Sequence, residues 1–344
     1  MNNSKIRIGI ICPSEIAFRR FLPSLIEVED IEYIGVAYPT PEEWAENSKL
    51  DNSVVKIIDN EHEKAKKFQA GFGGKIFNGY QTLIDSPEID AVYLPLPPAL
   101  HSKWAQRAIT AGKHAYVEKP FSTSVQDTLN LINLAKNNNI ALHENYMFVF
   151  HKQLEEISHI ISTGELGTVR QYRVNFGFPR RAKNDFRYNK ALGGGSLLDA
   201  GGYCIRLGSY LLGDSAELVY ANLKNEPEYE VDIFGSGVMK NDEGVTVHLS
   251  FGMDCDYKCE LEAWGSSATL TTDRILTAPD GFIPRLVLKK NQTYVEKELS
   301  PDCAFRNSIR RFLQCVHEPI IREENYEIIK RQALFIDKFI KLAK

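Results

Sequence analysis

Five short apolar runs in the first part of the chain constrain its fold more than any other feature. They are Ile6–Cys12, Tyr33–Tyr38, Ala91–Leu94, Ala115–Val117 and Ile140–His143. Helical patterns lie between them, among them Ser102–Ala111 and Val125–Asn137, each closing on a turn signal, Ala-Gly-Lys or Asn-Asn-Asn. Strands and helices alternating at this spacing form a parallel sheet covered on both faces. The expectation for residues 1–148 is a Rossmann-type doubly wound α/β domain. Residues 39–60 read as an insertion after the second strand. Within it Thr40-Pro41-Glu42-Glu43 has capping-box spacing with proline at the first helical position, so a short helix begins there.

Beyond residue 150 the pattern changes. A helix at Gln153–Ser162 leads to a long strand at Arg170–Phe178, and a glycine-rich helix start follows in Ala191–Gly213. From 216 to 297 the chain is mostly strand-like, punctuated by Asn-Glu-Pro-Glu, Asn-Asp-Glu-Gly, Trp-Gly-Ser-Ser, Ala-Pro-Asp-Gly and Lys-Lys-Asn-Gln turns, which reads as an antiparallel sheet. Helices near Phe305–Val316 and Tyr326–Ala343 close the chain. Residues 149–344 are therefore expected to form an α+β domain, with the C-terminal helix packing back on the first domain.

At 344 residues the chain can build a sizeable core in each of two domains. Its formal net charge of −4 argues against a nucleic-acid partner or an anionic membrane surface. No apolar stretch of signal-peptide length precedes the first strand and none approaches a membrane span, so the expected compartment is the cytoplasm. The cysteines agree: Cys12, Cys204, Cys255, Cys259, Cys303 and Cys315 are scattered rather than framed as in a small secreted domain. Cys255 and Cys259 fall in an alternating run from Leu249 to Leu261. In one uninterrupted strand they lie roughly 13 Å apart, too far for a disulfide or a shared zinc, although a turn would change that spacing. The same alternation sets Asp254, Asp256, Lys258, Glu260 and Glu262 on one polar face. His143 and His151 are too far apart for a zinc helix, and no metal site is expected.

Three clusters carry possible chemistry. Glu118, Lys119 and Pro120 follow the strand Ala115–Val117, and groups beyond the carboxyl ends of parallel strands face the ligand crevice. A lysine there, beside a carboxylate, can hold or donate a proton to a substrate oxygen; the alternative is an exposed loop with a surface ion pair. Asp199 and Tyr203 are four residues apart and share a helix face, with Arg206 nearby. Gly193, Gly194, Gly195, Gly201 and Gly202 allow either close approach to a ligand or tight packing. The third cluster is Leu94–His101, where Pro95, Pro97 and Pro98 stiffen a turn and His101 is either a structural hydrogen-bonder or a functional group.

Taken in this order, the strand–turn–helix at the start, "LPLPPALHSKWAQRAITAGKHAYVEKPFS", "HENYMF" and "FRYNKALGGGSLLDAGGY" resemble the glucose–fructose oxidoreductase / inositol dehydrogenase (Gfo/Idh/MocA) family over nearly the whole chain. The resemblance implies an NAD(P)-dependent oxidoreductase acting on a sugar or sugar nucleotide. It places Lys119 beside nicotinamide and substrate, and makes Tyr203 the general acid, with Asp199 in the accompanying substrate position. Asp185, Phe186 and Arg187 match a segment that reaches into the same cleft, Arg187 binding substrate. It also implies a homodimer or homotetramer, since the antiparallel sheet of such second domains often forms a subunit interface.

The departures lie at the cofactor site, for which Cys12, Ser14, Glu15, Ile16, Tyr38, Leu94, Pro95, His101, Glu118 and Lys119 are the candidate residues. The Gly-x-Gly-x-x-Gly/Ala fingerprint lets backbone approach a pyrophosphate at a helix N-terminus. Here it reads Cys12, Pro13, Ser14, Glu15, Ile16, Ala17. Cys12 adds a side chain, Pro13 removes an amide donor and Glu15 brings an anion. Ser14 can offer a hydroxyl to phosphate or cap the helix, and Arg19 and Arg20 add positive charge. Tyr38 and Pro39 stand where an acid would hold the ribose of NAD, which leaves NAD or NADP undecided. A second reading follows from these departures: a non-catalytic family member that binds a sugar or a partner protein. A third keeps the cofactor for a redox-neutral step.

Overall fold

The structure, a computed structural model, describes residues 5–45 and 52–344. Its residues cluster into two compact units: one runs to Ser122 and takes in 126–145 and 308–330, the other comprises 123–125, 146–307 and 331–344.

In the first unit β1 (Ile6–Ile11) has Ile8, Ile10 and Ile11 with no exposed surface, as a strand covered on both faces must. A π-helical turn, Ala17–Phe21, continues as α1 (Leu22–Leu25) and returns the chain to β2 (Ile31–Tyr38). Then follow α2 (Pro41–Ala45), α3 (Asn52–Phe72), β3 (Lys75–Asn78), α4 (Tyr80–Asp85), β4 (Ala91–Leu94), α5 (Pro98–Thr110), β5 (His114–Val117), α6 (Val125–Asn138) and β6 (Leu142–Glu144). The six strands lie in the order β3-β2-β1-β4-β5-β6, every neighbouring pair parallel. The chain order thus reverses at β1, where a crevice opens beyond the strand ends.

Several details differ from the sequence reading. β3 is absent from it, because a half-exposed edge strand with only Ile76 and Phe77 apolar leaves no clear period. α5 starts at Pro98, with proline in its first turn, so His101 lies inside the helix rather than just ahead of it. β6 starts at Leu142 and not Ile140: Asn139 adopts φ 60° and the Ile140 N–H donates to the Ala135 carbonyl at 2.9 Å, closing α6 in the manner of a Schellman cap. The segment read as an insertion at 39–60 holds α2 and the start of α3, the crossover helix between β2 and β3; its residues 46–51 lie outside the described ones.

The short helix expected at Thr40 is present and capped as its sequence dictates. The Thr40 N–H donates to Glu43 Oε2 at 3.0 Å and the Glu43 N–H to Thr40 Oγ1 at 3.2 Å, the reciprocal pair of a capping box. Glu43 then serves a second helix. Gly79 at the start of α4 has no side chain to cap with, and the N–H groups of Tyr80 and Gln81 each donate to the Glu43 carboxylate at 2.8 Å.

The second unit opens with α7 (Lys152–Ser162), whose first turn is capped by His151 Nδ1 accepting from the Gln153 N–H at 3.1 Å. After β7 (Val169–Gly177) come 3₁₀ turns at Phe186–Tyr188 and Lys190–Leu192. A π turn, Leu197–Gly201, then leads into α8 (Gly202–Leu212). The remaining strands are β8 (Glu217–Asn225), β9 (Asp232–Lys240), β10 (Thr246–Gly252), β11 (Lys258–Gly265), β12 (Thr269–Asp273), β13 (Arg285–Lys290) and β14 (Thr293–Glu298). They form an eight-stranded sheet, β14-β13-β12-β11-β7-β10-β9-β8, antiparallel except for the pair β7 and β10. α8 packs over β7, β9 and β10. On the opposite face a row of residues in register, Val238, His248, Arg173 and Glu262, is half-buried or exposed.

The run from Leu249 to Leu261 is two strands, not one. β10 stops at Gly252 and β11 starts at Lys258, so Asp254 and Asp256 belong to the turn and only Lys258, Glu260 and Glu262 share a strand face. The apolar alternation continues through the turn and hides it. Cys255 and Cys259 are both free thiols.

α9 (Ala304–His317) and α10 (Pro319–Leu342) complete the chain. Within the first unit α10 brings Tyr326 and Ile329 into the core; Tyr326 Oη donates to the Ile140 carbonyl and Asn325 Nδ2 to that of Leu142. Within the second unit Gln332 Nε2 donates to the Gly202 carbonyl at 2.9 Å and the Phe339 ring meets Phe251 at 5.5 Å.

Glu43→Ala removes the acceptor from two helix N-termini at once. Each lost cap costs about 1 kcal/mol, so urea unfolding is expected to show a loss of about 2 kcal/mol, whereas Glu42→Ala leaves these caps in place.

Candidate active site

The turn after β1 keeps the backbone of a glycine turn without the glycine. Cys12 adopts φ 86°, the left-handed region that glycine normally supplies, while its N–H donates to the Ala37 carbonyl at 3.1 Å. The Ser14 N–H donates to the Cys12 carbonyl at 2.9 Å. Of the two roles open to Ser14, the structure shows the cap: Oγ accepts from the Ala17 N–H at 3.3 Å. That leaves the hydroxyl proton for donation to an anion. The amides of Glu15 and Ile16 are first-turn amides, which have no acceptor inside the helix, and both side chains are exposed. The Cys12 thiol lies beside Glu61 and Tyr80; burial first, and then the Glu61 charge, push it up to about 12, so it is a neutral packing group.

At the end of β2 the Tyr38 ring stacks on His62 of α3, with centroids 4.7 Å apart and planes 19° from parallel. At the end of β4 the Leu94 carbonyl accepts from the Glu118 N–H at 3.2 Å. His101 has no exposed surface, and its ring nitrogens lie 2.8 Å from the Leu96 and Pro120 carbonyls. Burial pushes its pKa down to about 4, against the two carbonyls, which favour an N–H on each nitrogen; the ring sits between the loops after β4 and β5.

Glu118 and Lys119 are half-buried at the carboxyl end of β5, and the Lys119–Pro120 peptide is cis. Glu118 Oε1 accepts from Tyr93 Oη at 2.6 Å and from Asn145 Nδ2 at 2.7 Å. Burial raises the Glu118 pKa; the two donors and the Lys119 charge oppose that shift. The surface-loop alternative for this cluster is thereby removed, since Glu118 is tied into the strands around it.

In the second unit Arg187 is clamped between two carboxylates. Its Nε donates to Asp199 Oδ2 at 2.6 Å and its Nη1 to Asp185 Oδ1 at 3.1 Å, and the Phe186 ring lies 4.6 Å from its guanidinium carbon. The two acids raise the arginine pKa against the effect of burial. The glycines make this approach possible. A Cβ on Gly194 would sit 2.4 Å from the Arg187 carbonyl oxygen, and one on Gly202 would sit 2.1 Å from the Tyr146 hydroxyl. These glycines therefore serve close packing of the chain on itself.

Tyr203 is 8% exposed and its ring is edged by Tyr146 at 5.2 Å, Phe176 at 5.3 Å and Phe148 at 5.7 Å. The helix start that carries Asp199 and Tyr203 is anchored by a residue with no signal in the sequence. Asp232, on β9, accepts from Ser196 Oγ and from the Leu197 N–H, both at 2.6 Å. Tyr93 and Asn145, the donors to Glu118, and Tyr116 behind them likewise carry no signal in the sequence. Among the described residues no group of three or more His, Cys, Asp or Glu side chains is placed to hold a metal ion, and no helix is long and apolar enough to cross a membrane.

A parallel sheet that reverses order at β1 and opens there onto a helix N-terminus is the fold of dinucleotide-binding enzymes. Family models agree: residues 25–146 match an oxidoreductase family with an NAD-binding Rossmann fold, and residues 154–271 match the GFO/IDH/MocA C-terminal domain. The chain belongs to the Gfo/Idh/MocA family and is an NAD(P)-dependent oxidoreductase acting on a CH–OH group. It is 33% identical over 336 residues to the dTDP-3,4-didehydro-2,6-dideoxy-alpha-D-glucose 3-reductase of Actinomadura kijaniata, covering 98% of this chain and 95% of that protein. The enzyme of the same name from Saccharopolyspora spinosa is 30% identical over 338 residues, covering 96% of each. A crystal structure of a 3-ketoreductase from Actinomadura kijaniata in complex with NADP and TDP-benzene superimposes with a TM-score of 0.88 at 32% identity, covering 98% of both chains. Likeness to enzymes along the whole chain sets aside the non-catalytic reading.

Asp232→Ala is expected to destabilise the protein by about 1–3 kcal/mol, the penalty for buried donors left without an acceptor. Thermal unfolding checks this, with Asp232→Asn, which keeps one oxygen acceptor, recovering part of the loss.

Proposed function

We propose that this enzyme reduces the 3-keto group of a thymidine-diphosphate-linked deoxysugar, with NADPH as reductant. The observation that carries the substrate class is the near-complete overlap with dTDP-sugar 3-reductases. Residues of the first unit fit the cofactor. The Cys12 backbone keeps the turn open, the Ser14 hydroxyl and the first-turn amides face the place of a pyrophosphate, and β2 ends without the acid that would hold the ribose 2′-hydroxyl of NAD. Tyr38 with His62 in that place supports NADPH over NADH. When bound, the reduced nicotinamide supplies hydride to the keto carbon.

The chain's own residues supply the rest. Lys119, as an ammonium, polarises the keto oxygen and stabilises the negative charge that develops on it. Tyr203 gives its phenolic proton to that oxygen, so the ketone becomes a carbinol and the tyrosinate takes its proton back from solvent. Glu118 supplies the counter-charge for Lys119. Asp199, paired with Arg187, orients the guanidinium toward the sugar hydroxyls or the diphosphate.

We further propose a homodimer or homotetramer joined through the exposed polar face of the eight-stranded sheet. Arg173 and Glu262, 3.4 Å apart on adjacent strands, offer both charges to a second copy. A cytoplasmic location is supported by six free cysteines.

Lys119→Ala and Tyr203→Phe are each expected to lower kcat at least about hundredfold with dTDP-3,4-didehydro-2,6-dideoxyglucose. NADPH binding, followed by energy transfer from protein to nicotinamide, is expected to persist in both. Wild-type turnover in either variant, or tighter binding of NADH than NADPH, contradicts the reading. Sedimentation is expected to give a multiple of 39.0 kDa; a mass of one chain at micromolar concentration removes the oligomer.

A further inference from the structure

Behind Glu118 lies a run of buried polar groups that the reaction does not use. Asn145 follows β6, and its N–H donates to the Val117 carbonyl at 2.9 Å. Its Oδ1 accepts from Tyr116 Oη at 2.7 Å and from Ser308 Oγ at 3.0 Å. An amide oxygen turned toward two hydroxyls leaves Nδ2 facing Glu118 Oε1, at 2.7 Å. Ser308, on α9, lies 2.7 Å from Tyr116 Oη and 2.8 Å from His143 Nε2. His143, Asn145, Tyr116, Tyr93 and Ser308 are at most 1% exposed.

One assignment of the hydrogens gives this run a direction, with His143 as the Nε2–H tautomer. Tyr116 and Ser308 each carry one hydroxyl hydrogen, and the amide oxygen of Asn145 is the acceptor they converge on. A hydrogen on His143 Nε2 completes the run by donating to Ser308. Every donor then points along the path from His143 through Ser308 and Asn145 to Glu118, and Tyr93 adds a second donor to the same oxygen. Such a run favours a negative charge at its end. Tyr93 on β4 and Lys119 next in the chain are the titratable groups facing Glu118.

We infer that Ser308, with His143 and Asn145, is a positioning residue that keeps Glu118 ionised as the counter-charge of Lys119. The inference rests on the proposed role of Lys119, but its test does not depend on turnover. The Glu118 carboxyl carbon of the full-length protein is titrated by carbon-13 NMR without cofactor, its signal assigned by its loss in Glu118→Gln. In wild type the midpoint is expected below neutral pH. Ser308→Ala leaves the Asn145 amide with one fixing hydroxyl, and the midpoint is expected to rise by about half a pH unit, a threefold change. Ser308→Thr, which keeps the hydroxyl, is expected to restore it. If Ser308→Ala does not fold, His143 decides: His143→Leu raises the midpoint, while His143→Gln, which keeps an N–H donor, does not.

A midpoint above neutral pH in wild type, or no shift in Ser308→Ala and His143→Leu, overturns the inference. In turnover assays the acid limb of kcat is expected to move up with the midpoint while KM stays unchanged. Absence of turnover in wild type refutes the proposed reaction, and the NMR midpoint still decides the positioning role.

Discussion

Parallel pairing of β1 with both β2 and β4 is the constraint on which the first unit depends. The chain leaves the sheet toward opposite sides on either flank of β1, and no connection can cover the gap between those exits. Whatever stands at the carboxyl ends of β1, β2, β4 and β5 therefore faces the same opening. Cys12, Tyr38, Leu94 and Glu118 occupy those four ends, which is why residues far apart in sequence face one opening.

Half-buried charges are partly removed from water and must be compensated. Glu118 receives two hydrogen bonds on one oxygen, and Arg187 is gripped by Asp185 and Asp199. Hydrogen bonds to charged groups contribute about 1.5–3 kcal/mol each, comparable to the several kcal/mol that desolvation of an ion takes away in a real protein. For Glu118, whose carboxyl pKa is raised by burial while the two donors and Lys119 oppose that shift, each donor bears on how readily the group takes up a proton. The groups closest to the proposed chemistry are thus the ones whose surroundings matter most, and those surroundings include α9 at the far end of the chain.

Much of this was legible in the sequence because it rests on local period. All five expected strands of the parallel sheet fall within two residues of their observed bounds at each end, and the capping box at Thr40 forms as its spacing dictates. The cofactor turn was legible in outline but misleading in residue type: Cys12 departs from the fingerprint, yet its backbone takes the conformation a glycine would. What could not be read has no local signature. β3 is short and half-exposed, and the turn at 253–257 keeps an apolar alternation through a change of direction. Asp232 reaches a helix start 35 residues upstream, and Ser308 reaches Asn145 across 163 residues. Only the fold brings such pairs together.

Both helices that open onto the candidate half-sites contain a π-helical turn, Ala17–Phe21 and Leu197–Gly201. Such a turn holds one residue more than an α-helical turn, and each residue of an α-helix turns the chain by about 100°. The spare residue therefore sets a phase. Were the chain from Gly195 to Tyr203 one residue shorter, the helix would close as an ordinary α-helix. Ser196, ahead of the turn, would then swing by about that angle relative to Tyr203, away from Asp232. The length of this segment, quite apart from its composition, is what keeps the helix start on its Asp232 anchor while Asp199 grips Arg187.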